Sequence, residues 1–292
     1  MNQYIQKPKL DIDQACATVT KYLLDWVNCY VSTSEWYQPY SSQVIVTNEY
    51  DQICDAKKYI KPQSNVLTVC GSGEQPLFFK MWGADQVLTF DITCHAHLVM
   101  SLKVAAIQAL RDHNEYNDFI RGLSEHAPNL PRVPNINPVL SKLAADQREY
   151  IYRAHTLGFP FCITDSSCDN YSLSPDQYQK LKQSVPEPFP FIWTNIKDLD
   201  GKLCGAKFDM IYYSNVLEFL DTSDYKSVLE MTKSHLNLNG TLFLVMNYRN
   251  FYNTLGLFHD SYRRPDWDVQ VSCFNSAKSF CNIAITKCRE SR

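Results

Sequence analysis

Two glycines and an aspartate in this chain are the residue types, at the spacing, that can hold a nucleoside. In NVLTVCGSGEQPLFF, Asn65 to Phe79, an apolar and β-branched run gives way to Gly71-Ser72-Gly73. From Glu74 onward, Leu77, Phe78 and Met81 fall at helical spacing. A strand, a glycine turn and a helix in that order present free backbone N–H groups, and residues without a Cβ let a ligand approach the backbone. Asp91 ends a second apolar run, QVLTFDI, 18 residues after Gly73. A carboxylate there can accept both hydroxyls of a ribose, or it can cap the helix that starts soon after it. The dinucleotide fingerprint G-x-G-x-x-G is incomplete, because Glu74, Gln75 and Pro76 follow Gly73. Glu74 at the helix start would repel a pyrophosphate but suits a cationic ligand that carries no phosphate.

The elements that must position these residues can be read from apolar periodicity. Asp11 to Tyr30 has a helical repeat (Ile12, Cys16, Val19, Leu23, Trp26), and Glu49 to Tyr59 is a second short helix. Between them runs a polar, aromatic segment containing Trp36, Tyr37 and Tyr40, which can cover a bound ligand or form part of the core edge. Strands are expected at Val66, at Gln86–Ile92, at Phe189–Asn195, in KFDMIYYSNVLEFL and in TLFLVMNY. Helices are expected from Glu74, over His97–Leu110 and over Ser223–Leu236, with NLNG as the turn into the fifth strand. VQVSCF and CNIAITKC alternate and predict an antiparallel hairpin. The α/β alternation lapses from His113 to about Pro190, where helical pieces alternate with proline-containing loops. Ser174-Pro175-Asp176-Gln177 carries the capping signature of one of these helices.

The fold expected is therefore α/β: a doubly wound, Rossmann-like sheet, mostly parallel, with an antiparallel C-terminal hairpin, N-terminal helices and a helical insertion. Residues 1–60 form an N-terminal helical cover, 61–112 and 189–292 the nucleoside-binding core, and 113–188 an insertion on the acceptor side, serving as a lid. Of the 292 residues 45% are hydrophobic and 20% charged, which describes a globular chain with a sizeable core. The formal charge of −3 leaves no electrostatic footprint for a nucleic acid, so none is expected as a partner. Eleven scattered cysteines without a C-x-x-C argue against metal or disulfide frameworks and for a reducing, cytoplasmic setting. No apolar stretch reaches the length of a membrane span, and no metal is expected.

With these residues assembled, the chain resembles the class I S-adenosylmethionine-dependent transferases. VLTVCGSG resembles their motif I, FDI the ribose-binding acid, and FDMIYYSNVLEFL the strand bearing motif IV. The resemblance covers about Val66–Arg111 and Phe189–Cys288. It implies S-adenosylmethionine as the donor, with Cys70, Gly71, Ser72 and Gly73 along its methionine and ribose portion. Asp91 is then implied on the ribose, Ile92 on the adenine face, Asn195 near the adenine N6, and Ser214 and Asn215 at the catalytic end of the fourth strand. Two departures stand out: Thr68-Val69-Cys70 replaces the usual acid of motif I, and SNVLEF lacks the N-P-P-Y or D-P-P-Y of planar-nitrogen methyltransferases. A narrower segment, Ser101 to Ile120, is similar to the bacterial betaine-lipid synthase group, which transfers the 3-amino-3-carboxypropyl group of the same donor.

The implied chemistry is SN2 displacement at a sulfonium carbon, most simply methyl transfer, onto a small-molecule or lipid-like nucleophile. An acceptor bearing a proton needs a base, for which His95, His97, Tyr212, Tyr213 and Glu218 are candidates, with Tyr213, Glu218 and His97 preferred. Other classes stay open: a non-catalytic scaffold that keeps the donor fold, and a nicotinamide oxidoreductase, which the missing third glycine disfavours.

Overall fold

The computed structural model describes residues 11–17, 50–124, 133–157, 172–185, 187, 189–214, 216–247, 266–273 and 280–288. Trp36, Tyr37 and Tyr40 lie outside them. The first described elements are α1 (12–17) and α2 (Tyr50–Ala56). The pattern then alternates through β1 (Asn65–Val69), α3 (Glu74–Met81), β2 (Gln86–Asp91) and α4 (Cys94–Ala109). The insertion supplies α5 (His113–Ser124), α6 (Ile136–Leu140), α7 (Ala145–Thr156) and α8 (Pro175–Ser184). The alternation resumes with β3 (Phe191–Trp193), α9 (Leu199–Leu203), β4 (Phe208–Ser214), α10 (Thr222–His235) and β5 (Leu236–Asn247). It closes on β6 (Trp267–Cys273) and β7 (Phe280–Lys287).

One seven-stranded sheet runs in the order β3-β2-β1-β4-β5-β7-β6. β1 to β5 pair in parallel, while β7 pairs antiparallel with both β5 and β6. The direction of winding reverses between β1 and β4, and in such sheets the crevice for a ligand opens beyond the strand C-termini at that reversal. Both faces of the sheet are covered, which is why β1 and β4 read as continuous apolar runs. Strand alternation sends Tyr212 to one face, against Phe79 and Phe243, and Tyr213 to the other, against Phe90.

NLNG is not a turn preceding β5. It is an outward excursion within the strand: Leu236 pairs with Phe208, and pairing resumes at Thr241 with Met210. Asn239 takes a left-handed φ of 60° there, and a Cβ on Gly240 would stand 2.8 Å from the Asn237 carbonyl oxygen. Asp209 ties the excursion down, accepting from Asn237 Nδ2 at 2.8 Å and from the backbone N of Asn65 at 2.9 Å.

The insertion does not stand apart from the core. Helix α4 is buried nearly all round, from Cys94 to Ile107, because the sheet covers one side and α5 to α8 the other. Val139 and Leu140 of α6, Tyr150 and Ile151 of α7, and Tyr178 and Leu181 of α8 all join the same buried cluster as α4. The Tyr178 hydroxyl lies 3.0 and 2.7 Å from the carbonyls of Ile107 and Leu110, and Lys182 Nζ donates to Leu110 at 2.6 Å. α8 thus satisfies the C-terminal carbonyls of α4 at the strand N-terminal edge, opposite the ligand crevice. α7 reaches the other end of α4, with Tyr150 beside His95 in that helix's first turn. Arg153 of α7 pairs with Asp13 of α1 at 2.6 Å, so the N-terminal helix is docked onto the insertion. No helix among the described residues is long and apolar enough to cross a membrane.

Candidate functional site

The glycine turn closes tightly at the end of β1. Cys70 N donates to Phe90 O at 2.7 Å, extending the β1–β2 ladder, and Gly73 N returns to Cys70 O at 2.9 Å. Gly71 and Gly73 have φ of 52° and 88°, the region only glycine enters without strain. Gly73 is constrained a second way, since an added Cβ would lie 2.8 Å from Cα and Cβ of Met100 in α4. Its small size therefore serves the packing of α4 against the turn, not the approach of a ligand. Gly71 differs: its Cβ would rest 3.4 Å from the Gln75 carboxamide, in ordinary contact. Gly73→Val is accordingly expected to cost about 3 kcal/mol or more of stability through strain and overpacking, Gly71→Ala only about 1–2 kcal/mol. Thermal melts of the two variants check that order.

Asp91 is the centre of the site. Its Oδ2 accepts from Gly71 N at 3.1 Å and its Oδ1 from Thr93 N at 3.2 Å, so one carboxylate joins the turn after β1 to the start of α4. It does not cap that helix, because Thr93 does: Thr93 Oγ1 accepts from His95 N at 3.1 Å. With backbone N–H groups of Gly71, Thr93 and Ile92 around it, the carboxylate retains about one acceptor direction for a further donor. Burial pushes the Asp91 carboxyl up to about 7, while the backbone N–H groups of Thr93, Gly71 and Ile92 pull the other way. Ile92 is 38% exposed, an apolar surface next to the carboxylate, and its carbonyl is held by Trp193 Nε1 at 2.9 Å.

The other residues singled out from sequence divide into those near this edge and those turned inward. Ser214 ends β4 half-buried, and Asn195 caps the short turn Ile196–Asp198 by accepting from Lys197 N at 3.0 Å. Cys70 and Ser72 are fully buried, their side chains engaged inside the turn. Cys70 Sγ packs 3.8 Å from Met100 Sδ, and burial with the nearby Asp91 charge raises its thiol well above the ordinary range. The Ser72 hydroxyl donates to the Glu74 carboxylate. Tyr213 is a core residue: its hydroxyl is 3.0 Å from Thr232 Oγ1 of α10, and burial raises its pKa. His97 stacks on Phe191 (centroids 4.7 Å, planes 21° apart), with Nδ1 lacking a hydrogen-bond partner and its pKa lowered by burial to about 4. It is a neutral packing group between α4 and β3. Glu218 falls in the turn Val216–Phe219, and Asn215 lies outside the described residues.

Two residues at the turn escaped the sequence reading. Lys103 of α4, fully buried, forms an ion pair with Glu74, and Gln75 has a buried Oε1 with no hydrogen-bond partner beside Gly71. A single lysine in the apolar run LVMSLKVAAI was the available signal, because a buried ammonium requires a carboxylate. His95 Nδ1 also lies 2.7 Å from the buried Tyr150 hydroxyl, a pairing across 55 residues that no local pattern announces.

The strand order, with β7 antiparallel and the winding reversed between β1 and β4, is that of a doubly wound, Rossmann-like sheet. No protein-family model and no curated protein matches the chain. Among solved structures, it is similar to the N-methyltransferase NodS from Bradyrhizobium japonicum in complex with S-adenosyl-L-homocysteine. That match has 11% identity and a TM-score of 0.44, covering 92% of this chain and 98% of that one. It is also similar to a TehB-like SAM-dependent methyltransferase from Corynebacterium glutamicum, with 12% identity and a TM-score of 0.42 over 93% and 99% of the two chains. An rRNA methylase from Streptococcus thermophilus matches at 10% identity and a TM-score of 0.41, over 80% and 93%.

Proposed function

We propose that this protein is an S-adenosylmethionine-dependent transferase that moves a carbon group, most simply methyl, to a small-molecule or lipid-like nucleophile. The observation that carries this reading is Asp91, a buried carboxylate at the end of β2, braced by backbone N–H groups of the glycine turn and of the start of α4 and set beside the exposed Ile92. The residues around it fit such a donor. Asp91 would hold the ribose hydroxyls, Ile92 would lie along the adenine, and Gly71 would leave the backbone of the turn open beside the orphaned Gln75 Oε1. Asn195 follows the end of β3 and Ser214 ends β4; they would lie on the adenine and acceptor sides of such a crevice.

A bound sulfonium supplies the electrophilic carbon. What the protein contributes is alignment and exclusion of water, which can account for most of the acceleration of a displacement. Glu218 remains the proposed proton acceptor, since Tyr213 and His97 are committed to the core. On the acceptor side, α7 is the part of the insertion proposed to contribute, because Tyr150 reaches His95 at the start of α4. Calorimetry with S-adenosylmethionine tests the reading: absence of binding at millimolar donor would overturn it in favour of a non-catalytic scaffold. Analysis of donor products then separates the transferred groups. S-adenosylhomocysteine marks methyl transfer, and methylthioadenosine marks the 3-amino-3-carboxypropyl alternative.

The raised Asp91 pKa gives this binding a pH dependence. The ionised carboxylate accepts from the ribose, so donor affinity is expected to rise about tenfold between pH 6 and pH 8, as the group loses its proton through about 7. The stability contribution runs the other way. The folded state keeps a proton that the unfolded chain has released, so Asp91 favours folding most below the ordinary carboxylate range. That contribution is lost as pH rises through about 7. Donor should therefore raise the melting temperature more at pH 8 than at pH 6. Equal affinities at the two pH values would remove Asp91 from the ribose.

A further inference from the structure

We infer that Glu74, held between Ser72 and Lys103, is the specificity-determining residue of the glycine turn, restricting the site to nucleosides that carry no phosphate. This inference deepens the proposed function and rests on the same crevice. Helix α3 begins at Glu74 behind a Gly73 cap that offers no side chain, so its first N–H groups lack an internal partner. Such a helix end after a glycine turn is where a nucleotide's phosphates are ordinarily received. Here the chain places its own carboxylate in the first turn. Oε2 of Glu74 accepts from the Ser72 hydroxyl and Oε1 from the Lys103 ammonium.

The carboxylate is also unable to withdraw. Lys103 has no exposed side-chain surface, and moving Glu74 away would leave a buried ammonium without this partner. The Glu74 side chain itself keeps 14% of its surface, so it is the negative end of the pair that remains reachable, with the positive end behind it in α4. A phosphate arriving at the turn would meet a fixed like charge at short range. A nucleoside whose 5′ substituent is neutral or cationic would not.

The test compares adenosine with ADP by calorimetry on the full chain, with S-adenosylmethionine measured alongside. Wild type is expected to prefer adenosine. Glu74→Gln should shift the adenosine-to-ADP affinity ratio toward ADP by at least about tenfold. Because Glu74→Gln leaves Lys103 charged and buried, the double variant Glu74→Gln/Lys103→Met provides a second measurement with both charges removed, and a smaller shift in the same direction is expected. An unchanged ratio in a folded variant, or wild type binding ADP as tightly as adenosine, would overturn the inference. So would the absence of any adenosine binding. A shifted ratio in a protein that ignores S-adenosylmethionine would uphold the role of Glu74 and overturn the proposed transferase.

Discussion

Asp91→Ala is expected to weaken S-adenosylmethionine binding at pH 8 by at least tenfold while leaving a cooperatively folded protein. Hydrogen bonds to an ionised acceptor contribute roughly 1.5–3 kcal/mol each, and the variant removes the acceptor proposed for the ribose. Its effect on the fold is smaller because two consequences oppose each other. Gly71 N and Thr93 N lose their acceptor, which costs stability. At the same time a carboxylate that burial disfavours at this pH is removed. Titration calorimetry together with a thermal melt separates the two effects. A folded variant that binds donor as tightly as wild type would show that the carboxylate only braces the turn.

The sequence announces Asp91 and the glycine turn because both depend on local order: an apolar run, residues free to adopt positive φ, and an acid at a strand end. The C-terminal hairpin is legible for the same reason, as VQVSCF and CNIAITKC alternate with period two and become β6 and β7. What the sequence hides is direction. Ser72 and Gly73 sit in the motif, but whether they face a ligand or the interior depends on α4 crossing the turn at Met100. Tyr212 and Tyr213 must face opposite sides of β4, yet nothing local states that both sides are covered. His97 follows Asp91 closely in sequence, but one helical turn carries it down to Phe191 and away from the strand ends. Helix α4 did carry a readable clue. HLVMSLKVAAIQAL is apolar all round, and a helix of that kind needs cover on both sides, which here comes from the insertion.

That dependence sets the expected result of removing the insertion. A lid over the strand ends could be deleted with loss of transfer and retention of donor binding. The observed packing predicts a larger effect: replacing Asn114–Tyr171 with a short linker should abolish cooperative folding, and donor binding with it. The deletion removes Phe119, Val139, Leu140, Tyr150 and Ile151 from the cluster around α4 and exposes the face of α4 that they cover. Exposing a large apolar side chain costs roughly 1.5–3 kcal/mol. Several such side chains together exceed a domain's usual margin of about 5–15 kcal/mol. The Tyr150 hydroxyl is also lost from His95, which leaves a ring nitrogen in the first turn of α4 without that partner, next to the Thr93 that braces Asp91. Circular dichroism melts and gel filtration of the truncated chain check this. A monomeric product that melts cooperatively and binds S-adenosylmethionine would mean that α5 to α7 are an appendage rather than part of the core.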